Sequence, residues 1–216
     1  LSPTRQHLIT FIGKLCARAV LLGFGFYSIT IIDELGYDPK EAQKYTILSN
    51  HVSMIDILLW MSFAMPSFVA KEAVAKLPFI GRIATVMQCI YVDRLSGGAG
   101  NVTEKIIERQ RLLAHIHDDP ENKDVTIAPL LIFPEGTTAN GRHILPFRSG
   151  AFVSGCPVSV YFIRYPYKHF CVAWDTIHGG WFLIRLLTEL YNRAEIYRMK
   201  PYYPSEAEKK DAKLYA

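Results

Sequence analysis

Between residues 45 and 61 an apolar run stops for a single polar cluster and then resumes. Tyr45-Thr46-Ile47-Leu48 is β-branched and aromatic, the composition of a strand. Ile57-Leu58-Leu59-Trp60-Met61 reads as a second buried element. Ser49-Asn50-His51-Val52-Ser53-Met54-Ile55-Asp56 lies between them, so one element must end and another begin around these polar side chains. Ser49 or Asn50 is expected to cap a helix, because a short side-chain oxygen accepts an orphan N–H of the first turn. His51 then falls at the junction, with Asp56 a short way into the element that follows.

A neutral imidazole takes a proton from an alcohol near neutral pH. A carboxylate on its other ring nitrogen fixes the tautomer and stabilises the imidazolium that forms. In a continuous helix, residues five apart point about 140° away from each other. His51 and Asp56 can therefore meet only if His51 precedes the first turn. The same spacing also describes a helix cap beside a buried histidine.

A second stretch bears on that choice. Leu130-Leu131-Ile132-Phe133 reads as a buried strand running into Pro134-Glu135-Gly136-Thr137-Thr138. A carboxylate, a glycine and two hydroxyls at a strand end stand where open α/β sheets carry their sites, although a plain turn has the same composition. Gly136 permits close backbone approach to a ligand.

These two motifs, in this order, resemble those of the glycerophospholipid acyltransferase family. The family's Asn-His-x-Ser-x-x-Asp block is matched by Asn50, His51, Ser53 and Asp56, and its Phe-Pro-Glu-Gly-Thr block by Phe133 to Thr137. The likeness continues in Lys71, Pro78 and Gly81, in Arg94 after the expected strand Cys89–Val92, and in Phe147-Arg148 before Gly150-Ala151-Phe152. Gln88 stands where the second block often has glycine, and Val160 where many members carry a second proline. Arg164-Tyr165-Pro166-Tyr167-Lys168 and the closing Pro204–Ala216 are similar to the lysophosphatidylcholine and lysophosphatidylethanolamine branch.

The resemblance implies an α/β domain, a central mixed sheet flanked by helices, with an N-terminal membrane-associated helix. It also implies transfer of a fatty acyl group from acyl-CoA to the free hydroxyl of a lysophospholipid. His51 would be the general base and Asp56 its orienting carboxylate, with direct attack on the thioester and no covalent intermediate. Arg94, Glu135, Thr137 and Thr138 are the candidates for the glycerophosphate, joined by Asn50, Ser53, Lys71, Gly136 and Arg148 as substrate contacts. Glu135 would repel a phosphate, so it is expected to meet a hydroxyl or to orient Arg94. The Gly136 region is expected to offer an N–H to the oxyanion. Acyl-CoA enters as co-substrate, and neither a cofactor nor a metal is required. A lysophosphatidic acid acyltransferase would use the same machinery. A thioesterase would lack an acceptor, and no Gly-x-Ser-x-Gly elbow supports a hydrolase. A non-catalytic lipid-binding domain would have no use for His51 and Asp56 together.

The 216 residues suffice for one core. We expect a helical N-terminal segment over 1–32 and the acyltransferase domain over 33–216. Half of the residues are hydrophobic, and Lys plus Arg exceed Asp plus Glu by only 24 to 20. That balance suits a lipid or a phosphorylated co-substrate, and the basic-aromatic clustering of nucleic-acid binders is missing. Residues 7 to 32 show apolar spacings of three and four, interrupted by Lys14 and Arg18. Such a helix fits either the membrane interface or the surface of the domain, and its aromatic and basic content favours the interface. The four cysteines form no C-x-x-C pair and lie in apolar contexts, which points to reduced, buried thiols and a cytosol-facing domain; with the family resemblance, we expect it on an endomembrane such as the endoplasmic reticulum. Asn101-x-x-Glu104 predicts a helix start. His115-Ile116-His117-Asp118-Asp119 offers metal-ligand types, but at a helix end before Pro120 it reads as a solvated terminus.

Overall fold

In a computed structural model describing residues 3–76, 78, 80–92, 99–118, 127–167, 170–174 and 177–216, the strand signals assemble into one mixed sheet. Its strands are β1 (Ser28–Asp33), β2 (Thr46–Ser49), β3 (Ser67–Lys71), β4 (Ile90–Val92), β5 (Leu130–Ile132), β6 (Val158–Arg164) and β7 (Arg193–Arg198). Among the described residues these seven run in the order β1-β7-β6-β2-β5-β3-β4, and every neighbouring pair is parallel except β6 with β7. The helices are α1 (Pro3–Gly23), α2 (Pro39–Ala42), α3 (Ile55–Phe63), α4 (Glu72–Ala75), α5 (Ile80–Val86), α6 (Ala99–Asp118), α7 (Gly179–Thr188), α8 (Glu206–Lys210) and α9 (Ala212–Tyr215).

The central strands are apolar along their length because both of their faces are covered. Successive strand side chains point to opposite faces. Ile47, Leu131, Tyr161 and Ile163 meet Leu21 of α1, Ile55, Leu59 and Trp60 of α3, and Phe182 and Leu186 of α7. Leu48, Leu130, Ile132 and Val158 point the other way, onto Ile106 and Leu113 of α6, Phe152 and Tyr215. Each wholly buried leucine or isoleucine here contributes about 1.5–3 kcal/mol.

The N-terminal apolar block divides, where a single helix was expected to residue 32. α1 stops at Gly23, and Gly25, at φ +78°, lets the chain turn so that the Phe26 N–H returns to the Leu21 carbonyl at 2.9 Å. The β-branched residues that follow form β1, which pairs with β7 from Ser28↔Arg193 to Asp33↔Arg198. Arg198 closes the end of that pair with a fork onto Asp33, which holds the Asp33 carboxyl below its usual range. One smaller boundary also shifts, since α6 begins at Ala99 and Asn101 lies inside the helix. The thiols are all free, as expected, but not buried: Cys16 is exposed on α1, and Cys89, Cys156 and Cys171 are half-buried. Arg94, Asp119 and Pro120 lie outside the described residues.

α1 sits shallowly on the domain. Ala17 and Leu21 are buried, whereas Leu8, Phe11 and Leu15 are about 60% exposed (58%, 66% and 60%). No described helix is long and apolar enough to cross a membrane.

Candidate active site

The parallel register Ile47↔Leu131 and Leu48↔Ile132 brings the C-terminal ends of β2 and β5 side by side. The two sequence motifs therefore leave the sheet at one edge, where open α/β sheets place their ligands. Neither Ser49 nor Asn50 caps the helix. The Ser49 hydroxyl accepts from the Trp60 indole at 3.3 Å and donates to the Asn50 carbonyl at 3.1 Å. The Asn50 amide acts as an extra peptide group between β2 and β6. Its Nδ2 donates to Ile163 O at 2.9 Å and its Oδ1 accepts from Ile163 N at 2.7 Å. Asn50→Leu leaves both buried Ile163 groups without partners, so we expect about 2–4 kcal/mol of lost stability, read as a lower urea midpoint.

His51 stands before the first turn, as a meeting with Asp56 requires. α3 starts at Ile55 with Met54 as its N-cap, and no side chain caps it there. The Asp56 carboxylate, wholly buried, turns back over the junction instead. Its Oδ2 accepts from Val52 N at 2.7 Å, from Ser53 N at 2.9 Å and meets His51 Nδ1 at 2.9 Å. Its Oδ1 accepts the Tyr165 hydroxyl at 2.5 Å. A carboxylate held this way needs a proton on His51 Nδ1, which leaves Nε2 as the basic nitrogen. The imidazole lies flat on Phe133, with centroids 4.0 Å apart and planes 11° apart. Ser53 is fully buried, and its hydroxyl accepts from Ile55 N at 3.3 Å, so it serves the helix start rather than the cavity wall.

Glu135 braces the site from the β5 side. Its Oε1 accepts from His51 N at 2.8 Å and its Oε2 from Leu145 N at 2.9 Å. Both oxygens thus meet backbone N–H groups, and the carboxylate ties the histidine to the loop at 139–148. Ala139 N closes the same ring by donating to His51 O at 2.8 Å. Gly136 has φ +71°, and a Cβ there would overlap the Arg148 side chain, so the glycine lets the guanidinium lie against the turn. Its N–H donates to Phe133 O at 3.0 Å, so an oxyanion donor in the Gly136 region has to be a neighbouring N–H of the turn. Thr137 is exposed and Thr138 half-buried on the same turn. Lys71 ends β3, the strand beyond β5.

A small cavity and a larger one open beside the histidine at this edge. The small one, of about 190 Å³, is lined by His51, Glu135, Ala139, Arg142 and His143. The larger one, of about 640 Å³, runs under the sheet past Val158, Val160, Tyr202 and Tyr215. Asn50, Ile144 and Phe162 line both, so the apolar cavity begins beside the histidine. Sequence reasoning passed over Phe133 as a stacking partner and over Arg142, His143 and Tyr165. The signal for the first three was their place in or just after the Phe-Pro-Glu-Gly-Thr stretch. Tyr165 gave a family likeness but no role.

The family model described as Acyltransferase matches residues 35–163. Lysophospholipid acyltransferase LPEAT1 of Arabidopsis thaliana is 38% identical, over 98% of this chain and 57% of its own length. The Lysophosphatidylcholine acyltransferase of Drosophila melanogaster is 33% identical, over 93% of this chain and 36% of its own. The chain thus spans little more than half of the first relative and about a third of the second. The crystal structure of the 1-acyl-sn-glycerophosphate (LPA) acyltransferase PlsC from Thermotoga maritima has the same fold. It superposes with a TM-score of 0.58 at 20% identity, over 97% of this chain and 76% of that one.

Proposed function

The chain belongs to the acyltransferase family, and on that footing we propose that it moves a fatty acyl group from acyl-CoA to the free hydroxyl of a lysophospholipid. The observation that carries this reading is the 2.9 Å contact from His51 Nδ1 to the buried Asp56, at the mouth of a cavity. His51 Nε2 takes the acceptor's hydroxyl proton as the oxygen attacks the thioester carbonyl. The tetrahedral intermediate then collapses, the carbon–sulfur bond breaks, and the imidazolium returns its proton to the departing CoA thiolate. No Ser or Cys nucleophile takes part. With the Gly136 N–H engaged, the Thr137 and Thr138 N–H groups that follow on this turn are the candidates for the oxyanion.

The apolar cavity of about 640 Å³ suits the acyl chain. Arg148, the threonines, Arg94 and Lys71 are the candidates for the glycerophosphate, and Arg142 and His143 line the small cavity beside His51. The relatives' names favour lysophosphatidylethanolamine or lysophosphatidylcholine as acceptor. Lysophosphatidic acid, the acceptor named for the bacterial structure, is the second reading. Product analysis with labelled acyl-CoA and each of the three lysolipids separates these. Diacyl product from the ethanolamine or choline lipid supports the first reading, and product from lysophosphatidic acid alone supports the second. Free fatty acid without any acceptor would mean a thioesterase.

A lipid acceptor calls for a membrane surface, and α1 supplies an exposed apolar row for it. This reading places the chain on the cytosolic side of an endomembrane such as the endoplasmic reticulum. Phe11→Glu with Leu15→Glu should cut co-sedimentation with phospholipid vesicles by roughly tenfold or more, since each side chain would forfeit apolar burial in the bilayer. The fold should be unchanged, because both side chains are already exposed (66% and 60%).

A further inference from the structure

We propose that Tyr165 is a positioning residue for the His51–Asp56 pair, holding the carboxylate's second oxygen so that the first stays aimed at the imidazole; this rests on His51 being the base. Asp56 Oδ2 has three partners, namely His51 Nδ1, Val52 N and Ser53 N. Asp56 Oδ1 has the Tyr165 hydroxyl, at 2.5 Å. Tyr165 follows directly after β6, which is pinned to β2 by the ladder and by the Asn50–Ile163 bonds, so its hydroxyl arrives at the same sheet edge. Its ring leans edge-on against Phe26, with centroids 6.0 Å apart, so both ends of the side chain are fixed.

Burial, and then the neighbouring Asp56 charge, push the Tyr165 phenol well above its ordinary value, so it remains a donor throughout the working pH range. A neutral donor has a particular use here. It draws part of the carboxylate's charge away from His51 without cancelling it, as a lysine or arginine would. Removing the hydroxyl returns that charge to the side facing the imidazole and loosens the carboxylate's rotation. The first effect favours the imidazolium and narrows the range in which Nε2 is free to accept. The second misaims the base. Among the described residues, the other titratable groups facing the pair are Glu135, through the His51 N–H, and Arg142 and His143 across the small cavity. None of them touches Tyr165's hydroxyl bond, so they are common to wild type and variant.

The test compares wild type with Tyr165→Phe and with a fluorinated tyrosine placed at 165, which donates more strongly. Phenylalanine keeps the ring against Phe26, and thermal melting monitors the fold. Tyr165→Phe should lower kcat roughly tenfold with both KM values unchanged. The acidic limb of its activity profile should move to higher pH by roughly half a unit. The fluorinated tyrosine should move that limb to lower pH. Wild-type kcat and limb in Tyr165→Phe, or activity lost only in step with folded protein and with the limb unmoved, would overturn the proposal. His51→Ala separates the layers. If that variant is inactive while Tyr165→Phe is normal, only the Tyr165 role falls. If His51→Ala still transfers, the assignment of the base falls first.

Discussion

His51→Ala lowers acyl transfer by roughly 10³-fold, the usual range for loss of a general base, and leaves the chain folded with acyl-CoA still bound. The structure gives three reasons to expect a clean loss. The imidazole is half-buried on Phe133, and among the described residues its side chain hydrogen-bonds only Asp56. The His51 backbone bonds to Glu135 and Ala139 use its N–H and carbonyl, which alanine retains. Asp56 keeps Val52 N, Ser53 N and the Tyr165 hydroxyl, so its charge is still satisfied after the ring is gone. Turnover with saturating acceptor, set beside thermal melting and equilibrium binding of labelled acyl-CoA, reads all three. Unfolding that matches the activity loss would return His51 to the role of a buried structural histidine.

Glu135→Gln has the second largest effect, and its direction distinguishes a brace from a ligand contact. Both oxygens of Glu135 accept backbone N–H groups, one from His51 and one from Leu145. Glutamine presents one oxygen and one NH₂, so whichever way it turns, a donor faces a donor. Hydrogen bonds to a charged group contribute about 1.5–3 kcal/mol each, and an orphaned buried N–H costs about 1–3 kcal/mol. We therefore expect Glu135→Gln to lose about 2–4 kcal/mol of stability and to release the loop at 139–148 from the histidine. In activity it should resemble Glu135→Ala rather than wild type. Urea unfolding and kcat for both variants test this. A stable, active Glu135→Gln would instead mean that the carboxylate meets a substrate hydroxyl, for which an amide is an adequate substitute.

The comparison of these two residues explains what a sequence can disclose about such a site. His51 and Asp56 are legible because a polar cluster interrupts two apolar runs, and their five-residue spacing lets them meet in only one arrangement, which the structure has. Glu135, Asn50 and Ser53 read from sequence as substrate contacts. In the structure, the polar atoms of Glu135 and Asn50 and the Ser53 hydroxyl meet protein backbone. A polar side chain at a strand end looks the same in sequence whether it meets a ligand or a peptide group. The central strands were legible because burial on both faces makes them continuous apolar runs. β1 was hidden because its isoleucines continue the spacing of α1, with the glycines at 23 and 25 and the β-branched run after them as the local marks of the change. Tyr165 lies 109 residues from Asp56 in the chain, and no pattern of period two or 3.6 connects them.

The central claim is that His51 activates the acceptor for direct attack, and mixing the wild-type chain rapidly with acyl-CoA while following free CoA thiol tests it most directly. The first run contains no acceptor and the second contains lysophosphatidylethanolamine. The account predicts background release in the first and steady acceptor-dependent release in the second, because the oxygen that breaks the thioester belongs to the lipid. A burst of about one CoA per chain in the first run, with the acyl group left covalently on the protein, would contradict it.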